Sequence, residues 1–344
     1  MRQADAAAFG GKSSTLGELI AAGIPVPPGF AVSTAAFFAF LAEAKLEPVI
    51  ASALEGAAPG DVNAVGAASS AIAEAMRAAP VPDAVRDEVT RRYAELSEAA
   101  GDPEPPVAVR SSALGEDSHE ATFAGQQETY LWVRGAADVC DALRDCWVSL
   151  YSPTAISYRA GLGEAAHAPA MGVAVQLMVD AEVSGVMFTC NPVSGDPSMV
   201  AVNAAWGLGL AVVGGEVTPD DYLVSKVTRE VVREQLNPKR VEYVPHPGGH
   251  GAERREVPAE RSDAACLTAD TLALLVDVGR RVEDYFGSHQ DIEWAIARGS
   301  ALPEGLFVVQ SRPVTVTKTA PKQRERPSAI ELVMGTFGAW PEKR

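Results

Sequence analysis

Two short apolar segments near the end of the sequence carry side chains that suit phosphate and metal chemistry. The segment DIEW alternates as a strand and places Asp291 and Glu293 on one face. The segment VVQSR presents Gln310 and Arg312 on one face in the same way. Mg²⁺ takes a few protein oxygens together with substrate phosphates, so Glu293 and Gln310 on neighbouring strands would suit it, and an adjacent Arg312 would stabilise a transferring phosphoryl group. The alternative is a salt bridge across a hairpin.

Two further cations lie in the first third of the sequence. Arg110 ends the apolar strand VAVR, and an arginine at a strand end can hold a phosphate through two parallel hydrogen bonds. The glycine-containing loop that follows is suited to cover phosphates and exclude water. Lys12 follows Gly10 and Gly11, whose backbone N–H groups can approach a phosphate closely. For both cations the alternative is an ordinary solvated side chain.

Neither glycine-rich segment matches a common nucleotide motif. A P-loop needs a glycine where Ala6 stands, and no apolar strand precedes Gly11-Lys12. A dinucleotide fingerprint that starts at Gly207 needs its third glycine at position 212, where valine stands. Both motifs are therefore disfavoured, although the second segment remains a candidate for a turn that closes over a ligand.

Composition and charge restrict the class of protein. Acidic residues outnumber basic ones by 45 to 29, and the formal charge of -16 disfavours sequence-independent binding of nucleic acid. No apolar run approaches the roughly 20 residues that span a bilayer, and the start of the sequence lacks the pattern of a signal peptide. The four cysteines form no C-x-x-C pair, which disfavours a zinc site. We expect a cytoplasmic protein without nucleic-acid or membrane partners.

The pattern of elements predicts helices first and strands later, which favours an α+β arrangement of two lobes. Ser13 or Ser14 would cap the first helix, which runs toward residue 22. The other predicted helices cover 33–46, 62–79, 83–100, 136–150, 153–161 and 268–286. The predicted strands cover 107–110, 128–133, 171–179, 183–189, 199–205, 222–227, 291–297 and 306–310. The predicted division is an amino-terminal lobe, a carboxy-terminal lobe and a linker or tail: 1–170, 171–317 and 318–344.

Seven segments, taken in order, resemble the nucleotide-binding region of the phosphoenolpyruvate synthase and pyruvate phosphate dikinase family, which includes rifampicin phosphotransferase. The resemblance covers residues 8 to 316. The segments are GGKSSTLGELIAAGIPVPPGF, VAVRSSALGED, TFAGQQETYL, VAVQLMV, SGVMFTCNPV, WGLGLAVVGGEVTPD, and DIEWAI with VVQSRPV. Each is weakly informative alone, and seven in this order are specific.

This resemblance implies a two-lobe ATP-grasp fold that binds ATP and Mg²⁺. Glu293 and Gln310 would hold the metal, as their chemistry also indicates. Catalytic roles would fall to Arg312, Lys12 and Arg110. Carried over by motif, the ATP-binding residues would be Lys12, Arg110, Gly125, Thr129, Gln176, Glu293, Gln310 and Arg312. Gly125 and Thr129 over the nucleotide, and Gln176 at the adenine hinge, rest on the resemblance alone.

The resemblance also implies a phosphotransferase of the kinase type. Family enzymes phosphorylate a histidine on a separate swivelling domain, release AMP and phosphate, and pass the phosphoryl group to pyruvate or another small acceptor. None of the five histidines lies in the family's histidine motif, so we expect a phosphohistidine domain or partner chain, as in phenylphosphate synthase. Leu210 stands where relatives commonly have glutamate. The alternatives are a catalytically silent nucleotide-binding regulator or scaffold, and an ATP-dependent ligase.

Overall fold

A computed structural model describes residues 5–58, 60–113, 128–162 and 169–314 of the 344-residue chain. The helices are α1 (Ala6–Phe9), α2 (Gly11–Ala21), α3 (Thr34–Glu43), α4 (Leu46–Glu55), α5 (Val62–Ala78), α6 (Asp83–Ala100), α7 (Ala136–Ser149), α8 (Pro153–Leu162), α9 (Leu210–Val213), α10 (Ala259–Ser262) and α11 (Ala269–Phe286). The strands are β1 (Gly29–Val32), β2 (Val107–Ala113), β3 (Thr129–Val133), β4 (Met171–Leu177), β5 (Ala181–Phe188), β6 (Met199–Trp206), β7 (Asp220–Ser225), β8 (Val231–Gln235), β9 (Val241–Pro245), β10 (Ala252–Glu256), β11 (Gln290–Ala297) and β12 (Leu306–Pro313). Within these described ranges, no helix is both long and apolar enough to cross a membrane.

The first sheet has the strand order β1-β4-β2-β3, and neighbouring strands are antiparallel. Strand β4 is buried along nearly its whole length, which explains its continuous apolar sequence. Helices α3 to α8 contribute the core beside this sheet. In that core the Trp147 ring stacks on Phe40 with ring centroids 5.1 Å apart.

The second sheet has the order β12-β11-β5-β6-β7-β8 and is also antiparallel. Helix α11 begins where the Thr268 hydroxyl accepts a hydrogen bond from the backbone N–H of Thr271 at 3.2 Å. Its apolar side joins a core that contains Ile292 and Trp294 of β11. Because successive side chains of a strand point to opposite faces, Glu293 lies on the face away from this core.

Helix α2 connects the two sheets. Its amino-terminal end contacts β2, because the backbone N–H of Ser13 donates to Oγ of Ser112 at 3.2 Å. Its Leu16 and Leu19 are buried in the core of the second sheet. Just after the helix, the backbone N–H of Val308 in β12 donates to the carbonyl oxygen of Pro25 at 2.8 Å. The segment that carries Lys12 therefore packs against both sheets.

Two helix predictions are wrong. Helix α2 begins at Gly11, so Ser13 and Ser14 lie inside its first turns and do not cap it. The acceptor for the N–H of this first turn is instead the hydroxyl of Ser112, which lies on the distant strand β2. The helix predicted over 33–46 is two helices, because Lys45 adopts the left-handed conformation at φ 51° between α3 and α4. This break lets side chains of both helices reach the same core.

The α+β class is confirmed, and the two antiparallel sheets with flanking helices are consistent with an ATP-grasp nucleotide-binding fold. Strands β1, β8, β9 and β10 were not predicted. The division into lobes stays a prediction, and sheet membership favours placing it between Leu177 of β4 and Ala181 of β5. Contacts group the chain up to Val314 into one compact unit. The predicted tail, 318–344, lies outside the described residues.

Candidate functional site

Arg110 reaches from the first sheet to the second and is the centre of the candidate site. It lies on β2, and its side chain is 12% exposed. Nη1 donates to the carbonyl oxygen of Val309 at 2.8 Å. Nη2 donates to Oε1 of Gln310 and, at 3.3 Å, to Oε2 of Glu293. Strands β11 and β12 pair Glu293 directly with Gln310, so the structure places three predicted site residues side by side.

Lys12 lies in the first turn of α2, next to the strand of Arg110. Its side chain is buried, and Nζ donates to the carbonyl oxygen of Ser111 at 3.3 Å. Ser111 directly follows Arg110 in β2. The two predicted phosphate-binding cations are therefore held by the same short stretch of backbone.

Arg312 is paired with Asp291 across the β11–β12 hairpin. Both Nε and Nη2 of Arg312 lie 2.8 Å from Oδ2 of Asp291. Asp291 is almost buried, and this burial raises the pKa of its carboxyl group, although Arg312 opposes the shift. The structure thus shows the hairpin salt bridge that was the alternative for this position. About half of the Arg312 side chain is exposed, on the sheet face that carries Glu293.

The remaining predicted site residues are less close to the centre. Gln176 is buried, and its Nε2 donates to the carbonyl oxygen of Pro27 at 3.3 Å, so its amide anchors the proline-rich turn. Thr129 begins β3, is exposed, and pairs with Arg110 across the two strands. Gly125 lies outside the described residues. Leu210, the departure from the family pattern, opens α9 and is exposed.

A sequence model described as the pyruvate phosphate dikinase, AMP/ATP-binding domain, matches residues 6–331 of the chain. The chain belongs to this family. The match covers the segments that supply Lys12, Arg110, Glu293, Gln310 and Arg312. The chain is therefore an ATP-binding domain of the phosphoenolpyruvate synthase and pyruvate phosphate dikinase type.

Curated relatives match nearly the whole chain but extend well beyond it. A probable phosphoenolpyruvate synthase of Methanothermobacter thermautotrophicus is 39% identical over 98% of this chain and 48% of its own length. A second, of Methanocaldococcus jannaschii, is 37% identical over 96% of the chain and 28% of its own length. The phosphoenolpyruvate synthase of Pyrococcus furiosus is 36% identical over 98% and 46%. The chain spans about half or less of these relatives. A solved structure of D-cycloserine synthetase is 9% identical to this chain and has a TM-score of 0.27. The match covers 89% of this chain and 63% of that one, and it is too weak to support an argument about the fold.

The polar groups around Lys12 and Arg110 fit the phosphates that an AMP/ATP-binding domain must hold. Among the described side chains, Nε of Arg110 and the hydroxyls of Ser13 and Ser111 are buried without a hydrogen-bond partner. An unsatisfied buried polar group costs about 1–3 kcal/mol. The unsatisfied Nε of Arg110 is a donor that an anionic ligand would relieve, whereas the hydroxyl of Ser111, the next residue of β2, lies on the opposite face of the strand.

Glu293 and Gln310 fit Mg²⁺ as a pair of oxygen donors. Within the described part of the chain, no group of three or more His, Cys, Asp or Glu residues could hold a metal ion. Two protein ligands are still sufficient for Mg²⁺, because this ion usually takes one or two protein ligands and completes its shell with substrate phosphates and water. Oε2 of Glu293 and Oε1 of Gln310 accept from Arg110, so a metal ion at these two oxygens would compete with that guanidinium.

An apolar cluster next to Arg110 was missed by the sequence reasoning. Trp132, Leu208 and Ala295 are buried in it, and Met178 and Val309 are partly buried against it. The carbonyl group of Val309 is the one that accepts from Arg110. Strand alternation places Ala295 on the same face as Glu293, so the sequence could have indicated that Ala295 lies near the site. Trp132 could not be placed in this way, because its backbone adopts an unusual φ of 58°.

Proposed function

We propose that this domain binds Mg·ATP between the two sheets and phosphorylates a histidine on a separate domain or partner chain. The observation that carries the proposal is the contact of Arg110 with Glu293 and Gln310, which joins a phosphate-binding cation to a metal-binding pair. Water is the co-reactant: ATP, histidine and water give phosphohistidine, AMP and phosphate. Onward transfer to pyruvate or another small acceptor would take place elsewhere in the complete enzyme.

Each side chain would contribute positioning and charge neutralisation, since phosphoryl transfer asks little covalent chemistry of the protein. Lys12 and Arg110 would bind phosphate oxygens, and one of these oxygens would accept from the unpaired Nε of Arg110. Arg312 would neutralise the phosphate tail, provided that it exchanges part of its contact with Asp291. The magnesium ion, held by Glu293 and Gln310 when bound, would supply further stabilisation of negative charge.

The first test is calorimetric binding of Mg·ATP to the purified chain. Arg110→Met removes charge-assisted hydrogen bonds and should weaken binding about tenfold to a hundredfold, and Glu293→Gln should weaken it about tenfold. Arg77→Met is the matched control, because Arg77 pairs with Asp145 at 2.8 Å, outside the candidate site, and should leave binding unchanged. Wild-type affinity in both site variants would refute the assignment.

The second test is transfer of label to a candidate partner that carries the family's histidine motif, with β-labelled and γ-labelled ATP in separate reactions because one of these phosphoryl groups reaches the histidine and the other leaves as phosphate. Acid-labile, base-stable label on that partner, together with release of AMP, is the expected result. ATP binding without label on the partner would favour the silent regulatory alternative. ADP release with an acyl phosphate would instead indicate a ligase.

A further inference from the structure

Helix α2, which carries Lys12, has no side-chain cap of its own. Its N-cap residue is Gly10, and no side chain of the helix's own end accepts from the first backbone N–H groups. Such N–H groups have no partner within a helix, and a polar side chain normally satisfies one of those at the second or third position. Here the third-position N–H, that of Ser13, donates to Oγ of Ser112 at 3.2 Å. The cap is therefore supplied 99 positions away in the sequence, by the strand of Arg110.

Two glycines make room for this contact. Gly10 has φ +80°, and a Cβ atom there would lie 2.0 Å from the carbonyl oxygen and 2.3 Å from Oγ of Ser112. Gly172 of β4 pairs with Ser112 of β2, and a Cβ atom at Gly172 would lie 2.2 Å from the carbonyl oxygen of Phe9. Neither position accepts a larger residue without displacing backbone. The two glycines therefore allow the start of α2 to lie in direct contact with Ser112.

We propose that Ser112 is a positioning residue, which acts through Lys12 as a tertiary N-cap for α2. Ser112 is fully buried, and it lies two residues beyond Arg110 on the same strand. Its bond to Ser13 fixes the first turn of the helix beside Ser111, whose carbonyl oxygen accepts from Lys12 Nζ. It thereby sets the spacing between the Lys12 ammonium and the Arg110 guanidinium. The functional part of this inference rests on the proposed ATP site, whereas the capping contact does not.

The variants are Ser112→Ala, Ser112→Cys, Lys12→Met and the Ser112→Ala/Lys12→Met double variant. Ser112→Cys keeps nearly the same volume with a weaker acceptor, so it guards against loss of folding in the alanine variant. Ser97→Ala is the matched control, because Ser97 is a buried serine whose hydroxyl donates to the carbonyl oxygen of Tyr93, outside the site.

Amide hydrogen exchange of the apo chain tests the cap directly. Both Ser112 variants should exchange faster at Gly11–Ser13 by about fivefold, the size expected for one lost N-cap, while Ser97→Ala leaves this turn unchanged. Unchanged exchange at this turn in both Ser112 variants would overturn the cap. A wild-type chain that shows this pattern but binds no Mg·ATP would support the cap and refute only the proposed function.

Binding of Mg·ATP and of adenosine tests the positioning role. We expect Ser112→Ala to weaken Mg·ATP about fivefold and to leave adenosine, which lacks phosphates, unchanged. The double variant should bind Mg·ATP no more weakly than Lys12→Met, since Ser112 acts through that lysine. Equal losses for both ligands, or losses that multiply in the double variant, would show a merely structural serine and overturn the proposal.

Discussion

The charged side chains of the candidate site neutralise one another residue by residue. Arg110 contacts Glu293, and Arg312 contacts Asp291, so cations and carboxylates are assembled before any ligand arrives. The formal charge of -16 therefore describes the chain as a whole and not this site. At the proposed site a phosphate would compete with these carboxylates for the two arginines, so the carboxylates would contribute to selectivity for the charge of the ligand.

Asp291 gives the residue-scale prediction. Its burial raises the pKa of the carboxyl group above the ordinary value, against the effect of Arg312. A carboxyl group with a raised folded-state pKa binds its proton more tightly when folded, so its contribution to stability improves as pH falls through that pKa. Asp291→Asn lacks this contribution. The free energy of unfolding of the wild type, relative to Asp291→Asn, should therefore increase as the pH is lowered from 7 toward about 4, the ordinary pKa of an aspartate, in denaturant titrations; a difference that stays constant or falls would contradict it.

The local sequence pattern predicted the bounds of long amphipathic elements. It failed for elements whose bounds depend on contacts with distant parts of the chain. Helices α5, α6 and α11 have the predicted bounds within one residue, because each presents a periodic apolar side to a core. The start of α2 depends on Ser112 in β2, which no local pattern reveals. Strand β8 is exposed throughout and lacks alternation, and it exists because it pairs with β7.

The break between α3 and α4 gives the prediction at this scale. Lys45 is exposed and adopts the left-handed conformation, which costs a residue with a Cβ atom about 1 kcal/mol and glycine almost nothing. Lys45→Gly should therefore raise the free energy of unfolding by up to about 1 kcal/mol. The matched control is Ala44→Gly, one residue earlier at a helical φ of -82°, which should be destabilising. Denaturant unfolding checks both, and a loss of stability in Lys45→Gly would disprove the assigned break.

On the scale of the whole molecule, the site exists only where the two sheets meet. The sequence identified Lys12, Arg110, Glu293 and Gln310 one by one, from residue type, spacing and resemblance. It did not reveal that Arg110 spans the sheets, and it left the salt bridge between Arg312 and Asp291 as an alternative, because side-chain contacts between separate strands set both. Binding at the proposed site would therefore involve both cores.

This arrangement predicts that Mg·ATP stabilises both cores at once. Trp147 lies in the first core and Trp294 in the second, so the fluorescence change that is lost in Trp147→Phe or in Trp294→Phe isolates the signal of each core from that of the chain's other tryptophans. At a free ligand concentration of 100 times Kd, the linkage adds about 2.7 kcal/mol to the free energy of unfolding. Both reporters should shift by this amount in denaturant titrations, and the shift should shrink in an Arg110→Met background, where the first sheet loses its cation. A shift confined to the Trp294 reporter would mean that the nucleotide is bound by the second sheet alone, contrary to the role assigned to Arg110.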